Sequence, residues 1–102
     1  MGADLLVESF LESMAVERGA ATATLDAYGR DLDDWIGHLV RAGRDPLSAE
    51  AGDVAAHMSE LAGRGFEATT QARHLSAIRQ FHRFLYAEGL RGDDPTGTID
   101  AP

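Results

Sequence analysis

The sequence predicts an all-α domain built from four helices. Apolar residues recur at helical spacing in four separate segments, glycines punctuate the turns between them, and no strand-like alternation runs long enough to pair. The length of 102 residues fits one domain. A chain of that size buries roughly 60–70% of its unfolded surface, which suffices for an ordinary core without covalent staples.

The first helix is expected from about Asp4 to Glu17, with Leu5 or Leu6, Phe10 and Met14 facing in and Gly19 ending it. Asp4, Glu8 and Glu12 repeat at i, i+4 and give its outer side a wholly acidic stripe. The second starts near Thr22, a suitable N-cap, and carries Leu25, Tyr28, Leu32, Trp35, Ile36 and Leu39 on one face. Gly43 and Pro46 mark its end, and Gly29 in its middle costs about 1 kcal/mol relative to Ala. The third is shorter, from about Gly52 to Ala62, with Val54, Met58 and Leu61 inward and no Ser, Thr, Asp or Asn cap at its start. The fourth runs from about Ala68 to Glu88, stopped by Gly89. Residues 1–90 are thus read as the domain, and "RGDDPTGTIDAP" over 91–102 as a polar linker or tail leading toward a domain that is absent.

The formal charge is −8, and all nine basic side chains are arginines. Such a mean field repels phosphate and argues against general affinity for nucleic acid or an anionic membrane. The distribution is uneven, however. From Ala68 to Ala87 there is no Asp or Glu, while Arg73, Arg79, Arg83, His74 and His82 all fall inside. Leu75, Ile78, Phe81 and Leu85 line one side of that helix, and Thr69, Arg73, Ser76, Gln80 and Arg83 the other, with Arg79 at its edge. Hydroxyls and a long donor near a helix N-terminus suit anions and base edges alike. On the residues alone, this face serves either DNA or a protein partner.

Other features exclude functions. There is no cysteine, hence no disulfide or thiolate metal site, in keeping with a reducing compartment such as the cytoplasm. The acidic N-terminal segment is not a signal peptide, and no apolar run reaches the ~20 residues of a membrane span. His57, His74 and His82 show no metal-ligand spacing with carboxylates on a shared face and are expected at the surface or half-buried. Asp31, Asp33 and Asp34 diverge in direction along the second helix and read as a solvated face. Tyr28 and Tyr86 are expected to pack rather than to attack phosphate. No phosphate loop, nucleophile elbow or cofactor motif occurs, so no cofactor, metal or active site is expected.

Two segments carry a resemblance. "FLESMAVERGAATATLDAYGRDL" followed by "RGFEATTQARHLSAIRQFHRFLYAEGLRGDDPTGTIDAP" resembles the N-terminal core-binding domain of tyrosine site-specific recombinases, the phage integrase family. Within it the Xer branch fits, the XerD type better than the XerC type because of the "FLYAEG" helix end and the "RGDDP" exit. Arg73, Leu75, Ser76, Ala77, Arg79 and Phe81 are its most specific element.

The resemblance implies a four-helix, SAM-like orthogonal bundle that clamps one side of a double-stranded recombination half-site, its second and fourth helices approaching the major groove. Carried over by position, Thr24, Arg30, Thr69, Thr70, Arg73, Ser76, Arg79 and Arg83 become the DNA-contact residues. Arg73 and Thr70 fall to base edges, and Arg79, Arg83 and Arg30 to phosphates or to support. The edge position of Arg79 would equally suit an ion pair with an acid of the second helix. In full-length relatives the partner is a second, XerC-like protomer, and the parent activity is chromosome dimer resolution. Helical protein–protein contact between protomers is the alternative. Ala21, Ala23 and Gly29 stand where the family usually has Ser, Asn and a basic residue, so the second helix should touch DNA less. His38-Leu39-Val40-Arg41 spells the family's catalytic H-x-x-R by chance, without that motif's partners. The catalytic residues belong to another domain, and this chain by itself is expected not to cleave or join DNA.

Overall fold

A computed structural model describes residues 2–97, and its regular secondary structure is four helices: α1 (Ala3–Arg18), α2 (Thr22–Arg41), α3 (Ala51–Gly63) and α4 (Ala68–Ala87). The all-α expectation and the four helices hold, with boundaries within a residue or two. Leu6, Phe10 and Met14 face the core from α1, joined by Val7, while Leu5 points to solvent. Gly19 ends α1 in the left-handed region at φ 59°, where a Cβ would be strained, and its N–H caps the carbonyl of Met14.

The helices converge on Trp35, Phe81, Leu32, Leu39, Ile78 and Leu85, all fully buried. α4 lies most extensively along α2, and α1 closes over both. Phe10 of α1 meets Phe81 edge-on and Phe84 in a tilted pair, with ring centroids 5.7 Å apart in each case. Such geometry sets the positive ring edge against a negative face. Where α1 and α2 cross, a methyl on Gly29 would sit 3.5 Å from Leu11 Cδ1, an ordinary contact, so close packing does not demand glycine there.

Two expectations are corrected. The start of α3 is capped after all: the Asp53 carboxylate, three residues in, accepts the Glu50 amide at 2.8 Å and pairs with Arg44 Nε at 2.8 Å. The device lies at the N3 position rather than at the N-cap itself. Asp53→Ala is expected to cost about 1–2 kcal/mol, read as a lowered thermal midpoint with native helicity retained.

The histidines are the second correction. His57, His74 and His82 are buried, not superficial, because they share the apolar faces of α3 and α4. Asp31, expected in water, is also buried.

The C-terminal segment makes contacts of its own. Arg91 donates through Nη1 to the Pro46 carbonyl at 2.9 Å and through Nε to Asp93 at 2.9 Å. Asp94 accepts from the Thr96 amide and hydroxyl at 2.9 and 2.6 Å, and Pro95 and Thr96 are buried. Residues 91–97 are therefore packed on the α2–α3 connection; the rest of the expected tail lies outside the described residues.

Candidate nucleic-acid interface

The outward side of α4 is held in place by two polar clusters against α2. In the first, the Asp31 carboxylate accepts Arg73 Nε at 2.8 Å and Nη2 at 2.9 Å, while His74 Nε2 lies 3.2 Å from Asp31 Oδ1. The Asp31 side chain is 2% exposed and that of Arg73 41%. This side-on pairing uses one edge of the guanidinium and leaves its terminal fork, Nη1 and the outer hydrogen of Nη2, facing away from Asp31. The pairing with Asp31 holds the Arg73 guanidinium even more firmly protonated than usual.

In the second cluster, Gln80 Nε2 donates to Tyr28 Oη and Ser76 Oγ at 3.0 Å each, and those two hydroxyls lie 3.0 Å from one another. Arg18, the last residue of α1, completes it by donating from Nη1 to Gln80 Oε1 at 2.6 Å. Tyr28 is thus a packing residue with a satisfied hydroxyl. Ser76, half-buried, ties α4 to α2.

Beside this network runs a groove of about 390 Å³ lined by Arg18, Ala72, Leu75, Ser76, Arg79, Gln80 and Arg83. None of its lining residues is acidic. Among the described residues, neither Arg79 nor Arg83 has a carboxylate within ion-pair distance. The ion pair expected as an option for Arg79 belongs instead to Arg73, six residues earlier on α4. Arg18 was not among the sequence-based candidates. It reaches the groove from the far end of another helix, and no local pattern announces that.

The remaining candidates divide. Thr69 is exposed and Thr70 half-buried in the first turn of α4, where free amides and the helix dipole favour anions. Thr24 is exposed on α2 one turn before Tyr28, on the side that carries the α4 contacts. Arg30 lies elsewhere: it lines a separate groove between α1 and α2 with Asp4, Glu8, Asp26 and Asp33. Two residues from Tyr28, it points to a different side of α2, so the structure does not bring it together with the α4 arginines.

The molecule therefore segregates its charge. An acidic groove faces one way, and a basic, carboxylate-free groove another. No helix of the described residues is long and apolar enough to cross a membrane.

Residues 7–89 match the family described as "Phage integrase, N-terminal SAM-like domain". The chain is 57% identical over 96 residues, 94% of its length, to tyrosine recombinase XerD of Rhizobium meliloti. It is 51% identical over all 102 residues to the XerD of Brucella suis, and 50% over 95 residues to that of Caulobacter vibrioides. The chain spans 31–33% of the length of these curated relatives. Four helices without a strand among the described residues and a family match over residues 7–89 agree: the chain belongs to the phage integrase N-terminal SAM-like domain family.

Proposed function

We propose that this domain is the DNA-binding module of a XerD-like tyrosine recombinase, gripping one face of a recombination half-site by laying α4 along the major groove. The observation that carries the reading is the acid-free groove of Arg18, Arg79 and Arg83 beside Ser76 and Gln80, in a chain of net charge −8. Carboxylates there would sit against phosphate; they are placed instead on α1 and in the α1–α2 groove.

In this reading Arg18, Arg79 and Arg83 neutralise phosphates, and Thr69 and Thr24 approach the backbone or base edges from the helix ends. Thr70 and Arg73 read bases. Asp31 is a positioning residue: by holding one edge of Arg73, it presents the opposite fork in the geometry that pairs with guanine O6 and N7. Arg30, set among acids, contributes little. The parent protein would act in the cytoplasm, in chromosome dimer resolution, with a XerC-like protomer as partner and its strand-cleaving residues in another domain.

Two substitutions test the division of roles. With three or four phosphates neutralised, log K is expected to fall against log salt with a slope near −3 to −4. Arg83→Ala should weaken binding to half-site and scrambled duplexes alike and reduce that slope by about 1. Arg73→Ala should cost about 1–3 kcal/mol on the half-site duplex and little on the scrambled one. Equal loss of discrimination in both variants, measured by fluorescence anisotropy across a salt series, would overturn the assignment.

A further inference from the structure

We propose that His38 of α2 and His57 and Glu60 of α3 form a transition-metal site of the zinc class that ties the two helices together. The three residues each offer a ligand atom, and these atoms lie within 4.8 Å of one another. His38 Nδ1 and Glu60 Oε2 are already 3.1 Å apart. Two ligands on a tetrahedral zinc with bonds of ~2.1 Å are separated by ~3.4 Å, so this pair needs almost no rearrangement. The widest gap, at most 4.8 Å, closes by up to about 1.4 Å when the ion seats, within the reach of a side-chain torsion.

The independent observation is His57. It is 0% exposed, and neither Nδ1 nor Nε2 has a hydrogen-bond partner. An imidazole must carry a proton or a lone pair at each nitrogen, and burying both without partners is costly. A histidine kept in that state in a helix interior, beside a second histidine and a carboxylate, has the arrangement of a ligand awaiting an ion.

The donor chemistry selects the ion. Two imidazoles and one carboxylate suit Zn²⁺ and its borderline neighbours, whereas Mg²⁺ and Ca²⁺ require oxygen shells. His57 and Glu60 stand at i, i+3 and present their ligand atoms from one side of α3. Arg41 occupies only the other Glu60 oxygen, at 3.3 Å from Oε1, and it is largely exposed and free to withdraw. Glu60, 37% exposed, forms the mouth of the site, where water would take the fourth position.

The sole tryptophan reports on the site. Trp35 stacks on His38 with centroids 5.9 Å apart and tilts against His57 at 5.4 Å. The test uses the untagged 102-residue chain, stripped with chelator and titrated with ZnCl₂ or CoCl₂. Cobalt is expected to quench Trp35 fluorescence and to give visible bands of a four-coordinate nitrogen–oxygen site. Zinc at a hundredfold excess over Kd is expected to raise Tm by on the order of 10 °C. Glu60→Gln and His38→Gln should each weaken zinc by more than about tenfold, read as the zinc-induced rise in Tm over each variant's own metal-free value, since even outer partners of metal ligands are worth ~10–100-fold. Absence of quenching and of any Tm rise at millimolar metal would overturn the proposal. So would affinities in both variants equal to that of the unaltered chain, which mark adventitious binding at other histidines.

Discussion

Lowering the pH from 7 to 4 is expected to remove on the order of 6 kcal/mol of folding stability and to unfold the domain cooperatively. His82 and His57 are fully buried, and burial pushes each from the ordinary 6.5 down to about 4. Between those values the unfolded chain binds protons that the folded chain refuses. Stability therefore rises with pH across that window and is lost as pH falls through it. Each histidine contributes about 3 kcal/mol at neutral pH, and a domain of this size has about 5–15 kcal/mol in all.

The geometry supports the sign. Trp35 Nε1 donates to His82 Nε2 at 3.1 Å, so that nitrogen must keep its lone pair, and a proton there would face the indole N–H. Arg91 opposes the charged form of His82, and Asp93 and Asp94 favour it too weakly to prevail over burial. Around His57, the charges of His38 and His74 also disfavour protonation, against Glu60 and Asp34. Asp53 and Glu60, held below the usual carboxylate range, add loss of the same sign at still lower pH. Circular dichroism with chelator present checks the profile. A midpoint in denaturant that does not move between pH 7 and pH 4.5 would contradict it.

Asp31→Ala is expected to destabilise the domain by about 2–3 kcal/mol, a fall in Tm on the order of 10 °C. The carboxylate accepts two hydrogen bonds from Arg73, and His74 Nε2 lies 3.2 Å from its Oδ1. Removing one partner of a fully buried pair costs about 3–5 kcal/mol. Here the Arg73 head is part-exposed and regains water, which lowers the figure, while buried His74 regains none. Because Asp31 also aims Arg73, the same substitution is expected to reduce half-site discrimination as Arg73→Ala does. A double-mutant cycle separates the two roles: Asp31→Ala and Arg73→Ala should be strongly non-additive in discrimination, since they remove one device. Additive losses would mean that the pair does not act as a unit on DNA.

The four helices were legible because their causes are local. Periodicity of apolar residues, and glycines such as Gly19 and Gly89 at the turns, act over a few residues, and the structure departs from them only at the ends. The α3 start was legible, but not its cap, which involves Asp53 inside the helix rather than a Ser, Thr, Asp or Asn at the N-cap.

The buried histidines did leave a signal. His74, Ile78 and His82 repeat at i, i+4 on the apolar side of α4, in line with Leu75, Phe81 and Leu85. Treating histidine as a polar residue hid it. Asp31 likewise sits one turn before Trp35 on the buried side of α2, and its partners, 42 and 43 positions away, are visible only in three dimensions.

The basic character of α4 could be read from composition, and its groove could not. Arg18 enters from the end of α1, and Arg30 leaves toward α1 and its acids, both by helix crossing rather than by pattern. The same holds for His38, His57 and Glu60, which two helices bring within reach.

The most direct test of the DNA-binding account is to follow the backbone amide shifts of the isotopically labelled domain while a recombination half-site duplex is titrated in at low salt. Perturbations are predicted to cluster from Thr69 to Arg83, at Thr24 and at Arg18, with the acidic stripe of Asp4, Glu8 and Glu12 unmoved. Shifts confined to α1 or to residues 91–97, or none at millimolar duplex, would contradict a DNA clamp and return α4 to the role of a protein-contact face.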